Sequence, residues 1–266
     1  MLNITLYKRG IQGSWKMIVI FAAVLTMYFT IIISMFDPKI GSALVAFEQA
    51  MPELMAMVGM STSSTTLTGF MSAYLYGFIM LVFPMVFSIL SANKLIASHV
   101  DKGSMTCLLA APVKRSAVAF TQMKVLASGL VILITYITIV AIVAAEVSFP
   151  GELDIGGFIL LNVGSLFLHF FIGGICFIFS CIFSDTKYAV GFGAGIPALA
   201  FIIQMAANAG DKYADAKYIT FFTLFNADGI VAGEASAIWG VIALFIGAII
   251  LFAGAIAIFT RKDLHI

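Results

Sequence analysis

Six runs of about 20 or more residues in this chain contain no Asp, Glu, Lys or Arg: Met17–Phe36, Leu67–Asn93, Val125–Ala145, Ile155–Phe183, Tyr188–Asn208 and Ala235–Thr260. A helix rises about 1.5 Å per residue, so roughly 20 apolar residues cross a hydrocarbon core of about 30 Å. Each run is therefore long enough to span a bilayer as a helix. Charged residues make up 10% of the 266-residue chain, against about 25% in soluble domains. With 62% hydrophobic residues, the chain lacks the polar surface that water would require. The expectation is an all-α polytopic membrane protein of six spans, forming one domain over residues 1–266. Pro84 is expected to kink the second span. The connection from Asp37 to Thr66 reads as an external loop, with a short helix near "SALVAFEQAMPELMAMVGM".

The basic residues predict the orientation. Residues 1–16, the second-to-third loop, the fourth-to-fifth loop and the C-terminal end hold Lys8, Arg9, Lys16, Lys94, Lys102, Lys114, Arg115, Lys124, Lys187, Arg261 and Lys262. The opposite side holds only Lys39, Lys212 and Lys217. Loops rich in Lys and Arg stay in the cytoplasm, so both termini are expected there. No cleavable signal peptide is evident, because the first apolar run is too long for one and lacks a small-residue cleavage site.

Few residues suggest chemistry. The net charge of +1 and the lack of a basic patch interleaved with aromatics argue against nucleic acid. Cys107, Cys176 and Cys181 have no zinc spacing and read as small apolar residues. H-E-x-x-H, G-x-S-x-G and the phosphate-binding G-x-x-x-x-G-K-[ST] are absent, so neither a catalytic site nor a metal site is expected. Glu146, Glu152, Asp154, Asp211 and Asp215 read as a solvated external rim. His169 is the ionisable residue inside a span and thus a candidate functional group. A neutral His169 bonded to a neighbouring helix, with Asn162 or Gln204 as partner, is the simpler reading. In the fifth span, Gly191 and Gly195 form G-x-x-x-G, a pattern that lets helices pack closely in lipid or line a moving pathway.

The loop "SHVDKGSMTCLLAAPVKRS", Ser98 to Ser116, interrupts this apolar chain with charge. Ala97 to Ala110 is expected to form a short helix, with Asp101 near its start and Pro112 stopping it. The segment "DKGSMTCLLAAPVKRS" resembles the coupling loop of type-2 ATP-binding-cassette transporter permeases. The matching positions are Asp101, Gly103, Ser104, Leu108, Leu109, Pro112, Val113 and Arg115. One departure is His99, where many members carry Glu. The ending "IFTRKDLHI" resembles that family's closing aromatic-x-Arg-basic-Asp-Leu. The segment "ITFFTLFNADGIVAG" resembles its external aromatic segment. The likeness covers essentially the whole chain, coupling loop 97–116 included.

The resemblance implies a non-catalytic permease subunit of an exporter in a bacterial plasma membrane. Asp101, Gly103, Ser104, Leu108, Leu109, Pro112 and Arg115 would touch a cytoplasmic ATPase subunit, which binds the ATP and magnesium. A second permease copy or homologue would complete a dimer within the lipid. The substrate would be amphipathic or hydrophobic, such as a peptide or a drug. Tyr7 to Lys16 matches the position of an interfacial amphipathic helix in the family, and reads equally as a basic anchor. The rival classes are an ion-coupled secondary carrier and an integral-membrane enzyme. No internal repeat is evident and no Asp or Glu lies within a span, which disfavours the carrier. An enzyme would need several ionisable groups at one membrane depth.

Overall fold

A computed structural model describes residues 2–36, 51–57, 66–103, 105, 113–209 and 211–262. Six of its helices are long and apolar enough to cross a membrane: Ile4–Ser34, Ile79–Asp101, Arg115–Ser148, Ile155–Ile182, Thr186–Asn208 and Ala235–Arg261. The protein is an all-α, multi-pass membrane protein.

Polar residues at the edges of the apolar runs start several of these helices. The first four amides of a helix lack internal partners, and a side-chain oxygen at the cap satisfies one of them. Asn3 accepts from the Leu6 amide at 3.0 Å, and Asp154 from Gly157 at 3.1 Å. Asp185 accepts from Lys187 at 2.7 Å. Asp154, expected in the solvated rim, is thus a helix cap.

Two spans exceed the expected lengths. The first is one continuous helix of 31 residues, about 46 Å long at 1.5 Å per residue. Its N-terminal turns do not form a separate interfacial helix. They pack against the third span, where the Tyr7 hydroxyl donates to Ser128 Oγ at 2.8 Å and the Asn3 amide to Thr121 Oγ1 at 3.0 Å. The third span, expected over 125–145, begins ten residues earlier, at Arg115.

The second span departs most from expectation. Its helix breaks at Gly77–Phe78, not at Pro84. The outer segment Leu67–Tyr76 is buried at eight of its ten positions, so protein rather than lipid surrounds it. The membrane-crossing part is the inner segment, Ile79–Asp101, which includes Pro84. This segment continues through a π-helical turn, Asn93–Ala97, into Ser98–Asp101. In the connection before the second span, Pro52–Met57 is helical; residues 37–50 and 58–65 lie outside the described residues.

The fourth span is the hub, touching the second, third, fifth and sixth. The first span packs mainly on the third. The start of the third span, the end of the fourth and the end of the sixth meet at one end of the bundle. There Arg115, opening the third span, donates to the carbonyl of Lys262, just past the sixth, at 2.9 Å. Lys262 in turn donates to the Cys181 carbonyl at the end of the fourth span, at 3.2 Å. Partial burial draws the Lys262 ammonium below the ordinary lysine pKa.

At the other end, a short segment between the fifth and sixth spans folds back over the bundle. It comprises the 3-10 turns Asp211–Ile219 and Phe221–Leu224 and the helix Ala227–Val231. Gly240 of the sixth span lets it approach: a Cβ there would collide with the Leu224 carbonyl oxygen. Backbone cannot give way as a side-chain tip can. Gly240→Val should therefore destabilise the fold by about 1–3 kcal/mol, the usual cost of overpacking. Gly195→Val, where no atom lies within 4 Å of the added carbon, should leave the midpoint unchanged. Thermal unfolding of the purified protein in detergent compares the two.

A proline-freed carbonyl and an outer cavity as the candidate site

Pro84 lacks an amide hydrogen, so the carbonyl four residues earlier, at Met80, has no helical partner. In a bilayer such a group needs a donor from the protein itself. His169 supplies it: Nε2 of the fourth span lies 2.6 Å from the Met80 oxygen, and both residues are buried. A carbonyl can only accept, so Nε2 carries the proton and the ring is held as that tautomer. The expected partners of His169 are not its partners. Asn162 donates to the Phe158 carbonyl within its own helix at 2.9 Å. Gln204 lies at the outer end of the fifth span, accepting from Thr220 and Thr223 and donating to Asn208 at 3.1 Å.

Above this bond runs a stripe of buried polar groups. Asn162, Ser165 and His169 lie at helical spacing on the hub's inner face and are all buried. Asn162 Oδ1, Ser165 Oγ, His169 Nδ1 and the Tyr76 hydroxyl have no hydrogen-bond partner among the described residues. The Tyr76 hydroxyl of the second span's outer segment lies near the Asn162 side chain of the fourth span, short of strict hydrogen-bond geometry.

Tyr76 also lines a cavity of about 310 Å³ at the end away from the chain termini. One wall is the second span, with Ser72, Gly77 and Leu81. The facing wall is the fifth span, with Phe201, Gln204 and Asn208. The folded-back segment closes it with Phe222, Phe225 and Asp228. Phe201 and Phe222 meet edge to face, their centroids 5.7 Å apart. Ser72 donates to Asp228 Oδ1 at 3.0 Å, joining the second span to the segment. Typical ligand sites begin near 300 Å³, so the cavity suits one head group or side chain, not a folded peptide. Sequence reasoning missed Ser72, Tyr76 and Asp228. The available signal was an acid inside the aromatic run "FFTLFNADG", yet its partners come from a span more than 140 residues away.

The loop residues fall into two groups. Asp101 and Lys102 are exposed, as is Gly103, which adopts φ +67°. That left-handed conformation ends a helix naturally and strains any residue with a Cβ. It carries the Gly103 amide back to the Val100 carbonyl at 3.0 Å. Asp101 thus closes a helix continuous with the second span, whereas a start was expected, so the proposed helix-dipole support is absent. The helix that continues the second span stops at Gly103, Met105 beyond it is again helical, and Pro112, the expected stop, lies outside the described residues. Arg115 is half-buried on Lys262 and braces the bundle. Ser104, Leu108, Leu109 and Pro112, like Cys107, lie outside the described residues.

Within the fifth span, Gly193 makes the close contact, its carbonyl accepting from Cys176 Sγ at 3.2 Å. Gly191 and Gly195, expected to pack closely at a dimer interface or beside a pathway, face outward from the bundle with no atom within 4 Å of an added Cβ. Cys176 and Cys181 are buried, free thiols. No protein-family model and no curated protein matches this chain.

The Pro84–His169 account makes a paired prediction. His169→Leu should cost about 1–3 kcal/mol, the penalty for stranding a buried carbonyl. In a Pro84→Ala background, the amide of residue 84 can reach Met80, and that cost should fall by at least half. Denaturant titration of the four proteins gives the cycle. An equal cost in both backgrounds would show that His169 does not replace the missing amide.

Proposed function

We propose that this chain is the permease subunit of an ATP-binding-cassette exporter. It has no catalytic role of its own and sits in a bacterial plasma membrane with both termini cytoplasmic. It pairs with a second permease and draws energy from separate ATPase subunits that bind ATP and magnesium. The observation that carries this reading is the continuity of the second span. One helical rod runs from Leu81, at the cavity wall, to Asp101 and Gly103, in the loop that bears the family likeness. A push on that loop is delivered to the cavity without passing through a flexible joint. The rod's outer end meets its break at Gly77–Phe78, where the cavity can change shape. The 11 basic residues at the termini end of the bundle support the orientation by the positive-inside rule.

Docking on an ATPase depends on shape and apolar area, whereas orientation depends on charge. Leu108 and Leu109 carry no charge, and each would bury about 1.5–3 kcal/mol of apolar surface against the partner. Leu108→Asp with Leu109→Asp, or Gly103→Val, should leave the protein inserted. Co-purification of the co-expressed cognate ATPase, and stimulation of its ATP turnover, should drop about tenfold or more. Wild-type association in these variants would refute the coupling assignment.

Pairing with a second permease has its own test. Gly191 and Gly195 face outward beside Tyr188, Phe192 and Leu199, which are all exposed. Gly191→Leu or Gly195→Leu should weaken pairing, read by crosslinking in native membranes, while protomer stability is unchanged. Undiminished crosslinking in both would remove the fifth span from the interface.

A further inference from the structure

We infer that the outer cavity is a binding site for cationic amphiphiles, with an ammonium or guanidinium group held by Asp228. This deepens the exporter reading, on which it rests, by naming the charge of the substrate. Three features lead to it.

Among the described lining residues Asp228 is the charged one, and no Lys, Arg or His joins it. A carboxylate offers about four acceptor positions, and Ser72 occupies one on Oδ1. The remaining positions accept hydrogen bonds from a multi-donor cation, and cannot serve an anion. Gln204 does not compete for that cation, because its carbonyl oxygen is taken by Thr220 and Thr223.

The wall is mixed: the aromatic and aliphatic side chains Phe201, Phe222, Phe225 and Leu81 stand beside the amides of Gln204, Asn208 and Asn226. Aromatic faces attract cations as well as tails, so the same wall serves both ends of such a ligand. Asp228 itself is exposed whereas Phe222, Phe225 and Tyr76 are buried. The charge therefore sits at the mouth and the apolar part points inward, towards the break in the second span.

Third, the site joins two elements that meet across the cavity. The Ser72–Asp228 bond links the outer segment of the second span to the folded-back segment. A cation on Asp228 competes with Ser72 for the carboxylate, so occupancy acts directly on that link.

The test uses the full chain in nanodiscs of neutral phosphatidylcholine, so that lipid charge plays no part. Three dansyl probes share one undecyl chain and end in trimethylammonium, primary ammonium or carboxylate; a fourth ends in a hydroxyl. Empty nanodiscs give the background. The ammonium probes should bind about tenfold tighter than the hydroxyl and carboxylate probes, since one partly exposed ion pair with aromatic support gives an effect of that order. Asp228→Asn, whose carbonyl still accepts from Ser72, should bring all four within about threefold and leave the hydroxyl probe unchanged. Asp228→Glu should keep the preference, and Phe222→Ala should weaken every probe alike. No cationic preference in the wild type overturns the proposal, whatever becomes of the variants. So does a preference that survives Asp228→Asn. Binding needs no ATPase, so ATPase co-purification scored on the same samples separates this inference from the permease reading. Retained ATPase association without cation preference sinks the cavity assignment alone. Cation preference without ATPase association sinks the permease reading alone.

Discussion

A backbone carbonyl in hydrocarbon must find a donor, and in the middle of this bundle one carbonyl has been deprived of its own. Pro84 strips the helical partner from Met80, and His169 restores it from the neighbouring span. This bond pins the membrane-crossing part of the second span to the fourth, which is the helix that the second, third, fifth and sixth all touch. It also tolerates a proline where a continuous ladder would otherwise be required. Upstream of this bond the helix breaks at Gly77–Phe78. The outer segment and the folded-back segment lie on the far side of that break, and the cavity spans it, lined by Ser72 and Tyr76 on one side and Leu81 on the other. An intramembrane histidine usually invites a reading as a proton carrier or ligand. Here its donor is committed to a backbone group, and its position serves architecture first.

The break divides the second span by environment as well as by geometry. Ile79–Asp101 is long enough to cross the membrane alone, while Leu67–Tyr76 is enclosed by protein. The outer piece is tied sideways, through Ser72 to Asp228 and through Thr68, which accepts from the Asp154 amide at 2.9 Å. The inner piece is tied to the termini end, where Lys94 reaches the Gly13 carbonyl. A π turn lies on the way to the loop; such turns often mark functional positions in helices. Two stiff pieces anchored at opposite ends of the bundle, with one joint between them, make a transmission rather than a uniform column. The proposed exporter would use it to convert loop displacement into a change of cavity shape.

The cavity differs in character from the buried polar stripe beneath it. At the mouth stands an exposed carboxylate, Asp228. Deeper in, Asn162, Ser165 and His169 are neutral groups whose desolvation is cheaper than that of any charge. Polarity without formal charge is what lipid surroundings permit at that depth. Phe201, Phe222 and Phe225 lie between the two, and the proposed cationic amphiphiles would rest their apolar part on them.

The apolar runs alone determined the fold class, the number of spans and most of their positions. Bilayer thickness converts run length into crossings, and no tertiary detail alters that conversion. The caps Asn3, Asp154 and Asp185 were not read from the sequence, where Asp154 passed for a solvated rim residue, although capping is local. What the sequence could not reveal was anything decided between helices. Pro84 marked a disturbance, but whether the helix kinks there or breaks upstream depends on which neighbour satisfies Met80. His169 stood out, yet its partner was a backbone atom, which every residue possesses and no pattern can single out. Gly191 and Gly195 had the spacing of packing glycines, but helix rotation turned Gly193 inward and left those two outside. Asp228 joined the site because the chain folds back and meets Ser72, a contact between residues 156 positions apart. Only the tertiary structure could make that choice, because the energy that selects it comes from groups brought together by packing and not from their neighbours along the chain.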